Sequence, residues 1–358
     1  MPSGGTERAL LLTANGLRKN KRSFRFCLRS RKNSLAFGVW REENRRIMAE
    51  ENFTIVVLCG AISPEREVSI RSGAACAEAL KASFPRVELR VLDENELPAD
   101  LDPAQHIIFP VIHGDYGEDG KIQRELDARG FAYAGCGEAS CALCIDKATT
   151  KEKIRAAGVP VTQDVVFTAK NRPQAKSLVR RLGREIVIKP ADKGSSVGLF
   201  LLAGTRAVKR ALAKIREGKW IAEPRLYGRE LTVGLIGGVA GGVVEIRPKS
   251  GAYDYRSKYT SGATEYLAPA PLPEVVAATI RGEAEKIFEI CGCRDYSRAD
   301  VILMPDGRYF FLEVNTMPGL TATSLLPKSA SCIGYDFPAL VRKMISPAIR
   351  RFGIEIRD

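Results

Sequence analysis

The segment from Tyr296 to Asn315 constrains the fold most tightly. Pro305-Asp306-Gly307-Arg308 is a tight-turn signal between two alternating runs, so the segment reads as an antiparallel hairpin. A turn centred on Asp306-Gly307 sets Asp300 opposite Glu313 and Arg298 opposite Asn315. All four then share one face, while Ala299, Val301, Leu303, Leu312 and Val314 take the other. Two carboxylates facing each other across a ladder repel unless something neutralises them. A hard cation would do so, and an oxygen-only set of Asp, Glu and Asn favours Mg²⁺ or Mn²⁺, ions that commonly arrive with nucleotide phosphates. The alternatives are a solvated face on which the two charges tolerate each other, or neutralisation of the pair by Arg298 alone.

Upstream, strands and helices alternate. Phe53–Cys59 reads as an apolar strand, with Ser63-Pro64 opening a helix to about Ala82. Strands at Val87–Leu92 and His106–Ile112 follow, then a helix from about Glu118 to Arg129. This order predicts a mostly parallel α/β sheet whose ligand side lies at the carboxyl ends of the strands, where Glu65 and His113 fall. A second unit holds helices near 146–157 and 173–182 and strands at 163–167, 185–189 and 197–202. A third has Gly-rich hairpins, a helix near 273–290 and the carboxylate hairpin. The expected divisions are 1–50, a basic leader; 51–137, an N-terminal α/β domain; 138–222, a central domain; and 223–358, a C-terminal domain that holds the metal.

Charge narrows the function classes once it is located. The chain of 358 residues carries a net +13, which over the whole surface would point to nucleic acid or a membrane. Residues 1–47 hold 12 Lys/Arg against three acids, a net of +9, leaving +4 for the remainder. The leader is expected to be disordered, an Arg-rich targeting segment, or a stretch preceding a true start at Met48. No apolar run reaches the length of a membrane span. Nine cysteines form no disulfide framework and fit a reducing, cytoplasmic setting. Cys141 and Cys144 make a C-x-x-C, but with no second pair and two histidines in the chain, structural zinc is not expected.

Two further segments carry possible chemistry. Lys189 ends an apolar strand and is followed by Gly194-Ser195-Ser196-Val197-Gly198, whose amides and hydroxyls suit phosphate oxygens. A flexible hairpin is the competing reading. No Walker A or dinucleotide fingerprint is present. Glu223-Pro224-Arg225-Leu226 and Glu230 lie at a domain edge, either as an adenine and ribose site or as a solvated linker. Glu65 at a helix start and a single His113 are equally compatible with structural roles.

Taken in order, these pieces resemble the D-alanine–D-alanine ligases of the ATP-grasp fold. The resemblance rests on Gly60-Ala61-Ile62-Ser63-Pro64-Glu65-Arg66-Glu67-Val68-Ser69, His113-Gly114-Asp115-Tyr116-Gly117-Glu118-Asp119-Gly120, Asp146-Lys147 and Ile188-Lys189-Pro190 with the Gly194–Gly198 loop. It continues through Tyr253-Asp254-Tyr255 with Lys258-Tyr259, Ser297-Arg298-Ala299-Asp300 and Leu312-Glu313-Val314-Asn315-Thr316-Met317-Pro318-Gly319-Leu320-Thr321. It runs from about Phe53 to the C-terminus and leaves the leader out.

The resemblance implies a three-domain α/β enzyme, α+β in its ATP-grasp part, holding ATP between the central and C-terminal domains. ATP would phosphorylate the carboxylate of one D-alanine, and the amine of a second would displace phosphate, for peptidoglycan precursors. It implies Lys147 and Lys189 at the phosphates, Glu223 and the backbone near Leu226 at the adenine, and Glu230 at the ribose, with Ser196 and Lys258 also binding the cofactor. Asp300, Glu313 and Asn315 would hold two Mg²⁺ or Mn²⁺ ions. Arg298 and the Gly319 amide would stabilise the tetrahedral oxyanion. Glu65 would hold the first substrate's ammonium, linked to Ser195 and Tyr259, with His113 nearby; Ser324 and Leu325 would meet the second substrate. Residues Tyr253–Tyr266 resemble a closing loop that excludes water.

Tyr259, where D-lactate-using relatives carry Phe, favours an amine nucleophile. Pro224 in place of the more usual Lys keeps the backbone carbonyl, while Gly262-Ala263 makes the closing loop less acidic than in many relatives. The other reading within the class is an ATP-grasp ligase taking D-serine or D-lactate second. A nucleic-acid-binding protein would depend on the leader and is not expected. A homodimer is implied by the relatives.

Overall fold

Three sheets follow one another along the chain in the computed structural model, which describes residues 53–195, 197–249, 262–321 and 324–356. The expected site residues Ser196, Lys258 and Tyr259 lie outside the described residues, as does most of the segment read as a closing loop.

The first sheet is built from β1 (Thr54–Gly60), α1 (Arg66–Lys81), β2 (Val87–Leu92), β3 (His106–Pro110), α2 (Asp115–Glu118), α3 (Lys121–Ala128) and β4 (Ala132–Tyr133). Its order is β2-β1-β3-β4 and its pairs are parallel. Because β1 is buried on both faces from Ile55 on, it reads as a continuous apolar run rather than an alternation. The loops leaving β1 and β3 meet. Ser63 Oγ donates to the His113 carbonyl at 2.8 Å and accepts from the Glu65 amide at 3.0 Å. Gly114 permits this approach: its φ is +95°, and a Cβ there would lie 2.7 Å from that of Ser63. Ser63 therefore ties two loops together instead of capping a helix, and α1 opens later than expected, with Glu65 in the cap position.

Next come α4 (Glu138–Ile145), α5 (Lys147–Ala156), β5 (Val165–Thr168), α6 (Ala175–Leu182), β6 (Glu185–Pro190), β7 (Phe200–Ala203), α7 (Gly204–Lys214) and β8 (Lys219–Pro224). The sheet order is β5-β8-β6-β7, antiparallel throughout. Leu178 and Leu182 of α6 and Val208 and Leu212 of α7 bury against Ile186 and Ile188 of β6. Asp146 caps α5, its side chain accepting from the Ala148 and Thr149 amides. That cap fixes Lys147 as the first residue of the helix.

The last part contains β9 (Arg229–Ile236), β10 (Val239–Pro248), β11 (Thr264–Leu267), α8 (Glu274–Ile290), β12 (Tyr296–Leu303), β13 (Tyr309–Asn315), α9 (Leu325–Ser331) and α10 (Phe337–Arg351). Its sheet runs β11-β10-β9-β12-β13, again antiparallel. On one side Ile280, Ala284 and Ile287 of α8 pack into the core with Val233 and Ala299. α9 seats on the sheet through Ser329, whose hydroxyl bonds the Gly234 amide at 2.9 Å and the Gly242 carbonyl at 2.6 Å. Leu340, Val341 and Met344 of α10 return to share a core with Val57 and Phe109 of the first sheet.

The β12–β13 hairpin pairs Asp300 with Glu313 and Arg298 with Asn315, as the sequence predicts, by a different route. The turn is centred on Asp306, with the Met304 amide bonded to the Arg308 carbonyl, so nearer the turn Leu303 pairs with Tyr309 and Val301 with Phe311. A bulge between Asp300 and Val301 restores the expected register at the carboxylates. One consequence overturns an expected facing: Phe311 is 1% exposed in the core, while Leu312 is only partly buried.

Candidate active site

A cleft of about 630 Å³ is lined by all three parts of the described chain. Its walls include Glu65 and His113 from the loops after β1 and β3, Lys147 from the start of α5, and Ser195 from the loop after β6. Arg298, Glu313 and Asn315 come from the hairpin, and Gly319, Ser324 and Leu325 from the approach to α9. Ten of the residues expected from sequence thus share one cavity. Asp300, Lys189, Glu223, Leu226 and Glu230 are not among its lining residues.

Asp300 sits one step back from the cleft. Arg298 grips it with two parallel bonds, Nε to Oδ1 and Nη2 to Oδ2, each 2.8 Å, and Thr232 Oγ1 donates to Oδ1 at 2.6 Å. The opposite carboxylate, Glu313, lies 3.3 Å from Lys147 Nζ. The two facing acids are therefore each compensated by a cation, one on its own strand and one from α5. Asn315 Oδ1 accepts from the Met317 amide at 2.8 Å, which turns the chain toward Gly319.

A second polar cluster lies behind Lys147. Lys189 Nζ is 2.8 Å from Glu223 Oε2. The other oxygen of Glu223 pairs with Lys151, and Thr162 Oγ1 donates to it at 2.7 Å. Burial pushes the Lys189 ammonium down to about 8, with Glu313 pulling the other way and Lys147 adding to the depression. Lys151, 1% exposed, is likewise held well below the ordinary lysine range by burial. Lys151 was missed by sequence reasoning, yet it stands one helical turn after Lys147 on the same face, a spacing that was available to find it.

The loop after β6 reaches across to the first sheet. Ser195 Oγ donates to Glu65 Oε1 at 2.5 Å, and Lys193 pairs with Asp115 of α2. Lys147 Nζ holds the same loop through the Lys193 carbonyl at 2.8 Å. Ser195 has φ of +49°, a left-handed conformation uncommon outside glycine and typical of backbone constrained at a functional site. His113 is 4% exposed, with Nε2 3.4 Å from Ser72 Oγ and Nδ1 3.7 Å from Glu118. Glu118, another cleft residue, was read from sequence only as part of a motif. At the far end Ser324 Oγ accepts from the Thr321 amide at 3.1 Å and fixes the entry to α9, whose first residue is Leu325. Leu226 lies between β8 and β9 and is partly buried; Glu230 on β9 pairs with Ile302 and Ile246.

These features have counterparts among known proteins. The family model described as D-ala D-ala ligase C-terminus matches residues 154–346. A D-alanine–D-alanine ligase of Anaeromyxobacter sp. (strain Fw109-5) is 38% identical over 297 residues, covering 82% of this chain and 96% of that protein. The one from Dechloromonas aromatica (strain RCB) is 38% identical over 296 residues, with 82% and 97% covered. Among solved structures, D-alanine–D-alanine ligase from Bacillus anthracis complexed with ATP superposes with a TM-score of 0.72 at 26% identity, covering 84% of this chain and 99% of that one. VanG D-Ala:D-Ser ligase from Enterococcus faecalis gives 0.72 at 27% identity, covering 83% and 99%. The parallel sheet followed by two antiparallel sheets is the ATP-grasp fold of these neighbours. Within that class, the chain belongs to the D-alanine–D-alanine ligase family.

Proposed function

We propose that this protein joins two D-alanines at the expense of ATP, through an acyl phosphate, to supply D-alanyl-D-alanine for peptidoglycan. The observation that carries the reading is one cleft lined by the Glu65–Ser195 pair, the Lys147–Glu313 pair and Arg298, which Asp300 grips from behind. A carboxylate is a poor electrophile until its oxygen becomes a leaving group, which is why ATP is required. Glu65, oriented by Ser195, offers a buried anion for the first substrate's ammonium, with His113 beside it. Arg298, fixed in orientation by its two bonds to Asp300, is pre-aimed at negative charge on the reacting carboxyl, and the Gly319 amide is the second donor of that oxyanion site. Ser324 and Leu325 bound the space for the second D-alanine, and Tyr259 joins the Glu65–Ser195 link in this reading.

Lys147 and Lys189 are assigned to the phosphates, Glu223 and the Leu226 backbone to the adenine, Glu230 to the ribose, and Ser196 and Lys258 to the cofactor. On that assignment Lys151 is the cation that keeps Glu223 oriented. A divalent metal fits the donor set. Asp300 Oδ2, bonded once to Arg298, retains a free lone-pair direction, and Glu313 and Asn315 supply further oxygens. Asp300, Glu313 and Asn315 would hold Mg²⁺ or Mn²⁺, two ions in the family pattern, whose contribution is to offset charge on the phosphates. The reading includes the division into domains at 51–137, 138–222 and 223–358, a cytoplasmic homodimer, and no nucleic-acid partner. Among the described residues no helix is long and apolar enough to cross a membrane.

The test is phosphate release from Mg·ATP with D-alanine, D-serine and D-lactate offered in turn. D-alanine alone should support turnover, and Glu313→Gln should abolish it. ATP loss independent of D-alanine would sink the reading. Turnover requiring D-serine beside D-alanine would shift it to the chemistry named for the Enterococcus faecalis neighbour.

A further inference from the structure

The positive charge of the chain after Met48 is concentrated in one place. Residues 163–219 hold 14 Lys/Arg against four acids, a net of +10, so the other residues from Met48 on carry −6 within their shared total of +4. Much of the excess sits on α6 and α7, neither of which contains an acid. α6 exposes Lys176 and Arg180, and α7 exposes Arg206, Lys209, Arg210 and Lys214. Among the described residues none of these six pairs with a carboxylate; the ion pairs of this sheet's cations are made by Lys189, Lys193 and Lys219.

The arrangement breaks local rules without compensation inside the protein. Lys176 and Arg180, Arg206 and Arg210, and Arg210 and Lys214 each stand four residues apart on a helix, where like charges repel. Lys176 and Arg206 also lie in the first turns of their helices, where the dipole disfavours a cation. An anion from outside relieves both.

The fold turns this face away from the cleft. Along β6, Ile186 and Ile188 pack with α6 and α7, so Val187 and Lys189 take the opposite face of the sheet. On β8, Ala222 packs with the helices, and Ile221 and Glu223 point the other way. A surface docked on the two helices therefore leaves the Lys189–Glu223 side open.

A groove of about 420 Å³ marks the face. Pro173, Ala175 and Leu212 give it an apolar lining, and Arg172, Lys176 and Lys209 add three cations. Arg172 is anchored there, its Nη2 donating to the Ile215 carbonyl. The combination suits an anion joined to an apolar group. Nucleic acid supplies phosphate without that group, and is gripped by aromatic stacking or by an element that enters a groove. Here Phe167 is buried, Phe200 stacks on Trp220, and Leu178, Leu182, Val208 and Leu212 pin both helices to the sheet. A second copy of the chain would set the same cations against themselves across a two-fold contact.

We propose that the α6–α7 face docks on an anionic lipid bilayer, with phosphate headgroups meeting the cations and the glycerol ester edge of a lipid entering the groove. The contact is peripheral, because no large apolar residue of either helix is exposed for insertion. It is therefore electrostatic and salt-sensitive, each cation at the surface strengthening adsorption roughly fivefold.

The experiment titrates full-length protein with sucrose-loaded vesicles of phosphatidylglycerol or of phosphatidylcholine and reads the partition constant by sedimentation at low and high salt. Binding should require phosphatidylglycerol and weaken as salt rises. Arg172→Gln/Lys176→Gln/Lys209→Gln should lower the partition constant roughly a hundredfold, with phosphate release unchanged and the unfolding temperature not lowered. The basic leader is present in every arm and cancels from that ratio. Removing three exposed cations elsewhere, as Lys81→Gln/Lys286→Gln/Arg308→Gln, should change it by no more than the effect of one cation at the surface. Wild-type protein indifferent to phosphatidylglycerol, a triple variant that partitions like wild type, or a control triple that loses as much would each overturn the proposal. Retention on immobilised duplex DNA that the triple variant loses, alongside unchanged vesicle binding, would assign the face to nucleic acid instead.

Discussion

Lys189 is the residue whose chemistry is most open to measurement. Burial lowers its ammonium to about 8 in the unliganded protein, against an ordinary lysine value of 10.5. A bound triphosphate favours the charged form, so nucleotide raises that value again. Below pH 8 the free protein already carries the proton and affinity should be flat. Above it, a proton must be taken up on binding, and affinity for Mg·ATP should weaken by up to about tenfold per pH unit until the liganded pKa is passed. Calorimetry in buffers of different ionisation enthalpy should find proton uptake near zero on the acid side and approaching one per nucleotide on the alkaline side. A flat profile across this window would mean that Lys189 does not meet the phosphates. Much of the residue-level site was legible in the sequence because its motifs are short and contiguous. Lys151 was signalled by its spacing from Lys147 on α5, but its pairing with Glu223 was not, since that carboxylate lies far along the chain on β8 and meets α5 only through the tertiary fold.

Elements were legible where pattern and packing agree. The parallel sheet could be read from β1 because burial on both faces leaves an unbroken apolar run, and β12 and β13 from a turn signal between alternating strands. α4 was missed because it is short and, after Glu138, a run of mostly small and apolar residues with little period. α7 carries Val208, Ala211 and Leu212 at helical spacing and was readable in principle. The bulge in the hairpin was not, because Phe311 and Leu312 are both apolar and alternation cannot say which one enters the core. That ambiguity gives a comparison at this scale. Phe311→Ala empties a fully buried position beside Val161 and Tyr309 and should lower unfolding free energy by roughly 3–5 kcal/mol in urea titrations. Leu312→Ala should cost well under half as much. Equal losses would place both side chains in the core and contradict the observed register.

At the scale of the whole molecule, the question is where the positive charge acts. The net +13 divides into +9 on residues 1–47 and +4 on everything after them. The relatives cover 82% of this chain while spending 96–97% of their own length, so the family pattern is complete without a segment of the leader's size. In the remainder, the cations most relevant to function are committed: Lys147 to Glu313, Lys189 to Glu223 and Arg298 to Asp300. Polyanion binding should then be separable from catalysis. A chain beginning at Met48 is expected to retain kcat and the KM values for ATP and D-alanine, while its retention on immobilised DNA falls to lower salt with a shallower dependence on salt concentration. The logic is counterion release: each phosphate contact that leaves with the leader removes about 0.7–0.9 from the logarithmic salt slope, whereas contacts made by residues after Met48 leave it unchanged. If the shortened chain elutes with the full-length protein, a basic surface on the family-like portion holds the DNA. If it elutes early but turns over more slowly, the leader acts on the ligase itself and the two functions are coupled.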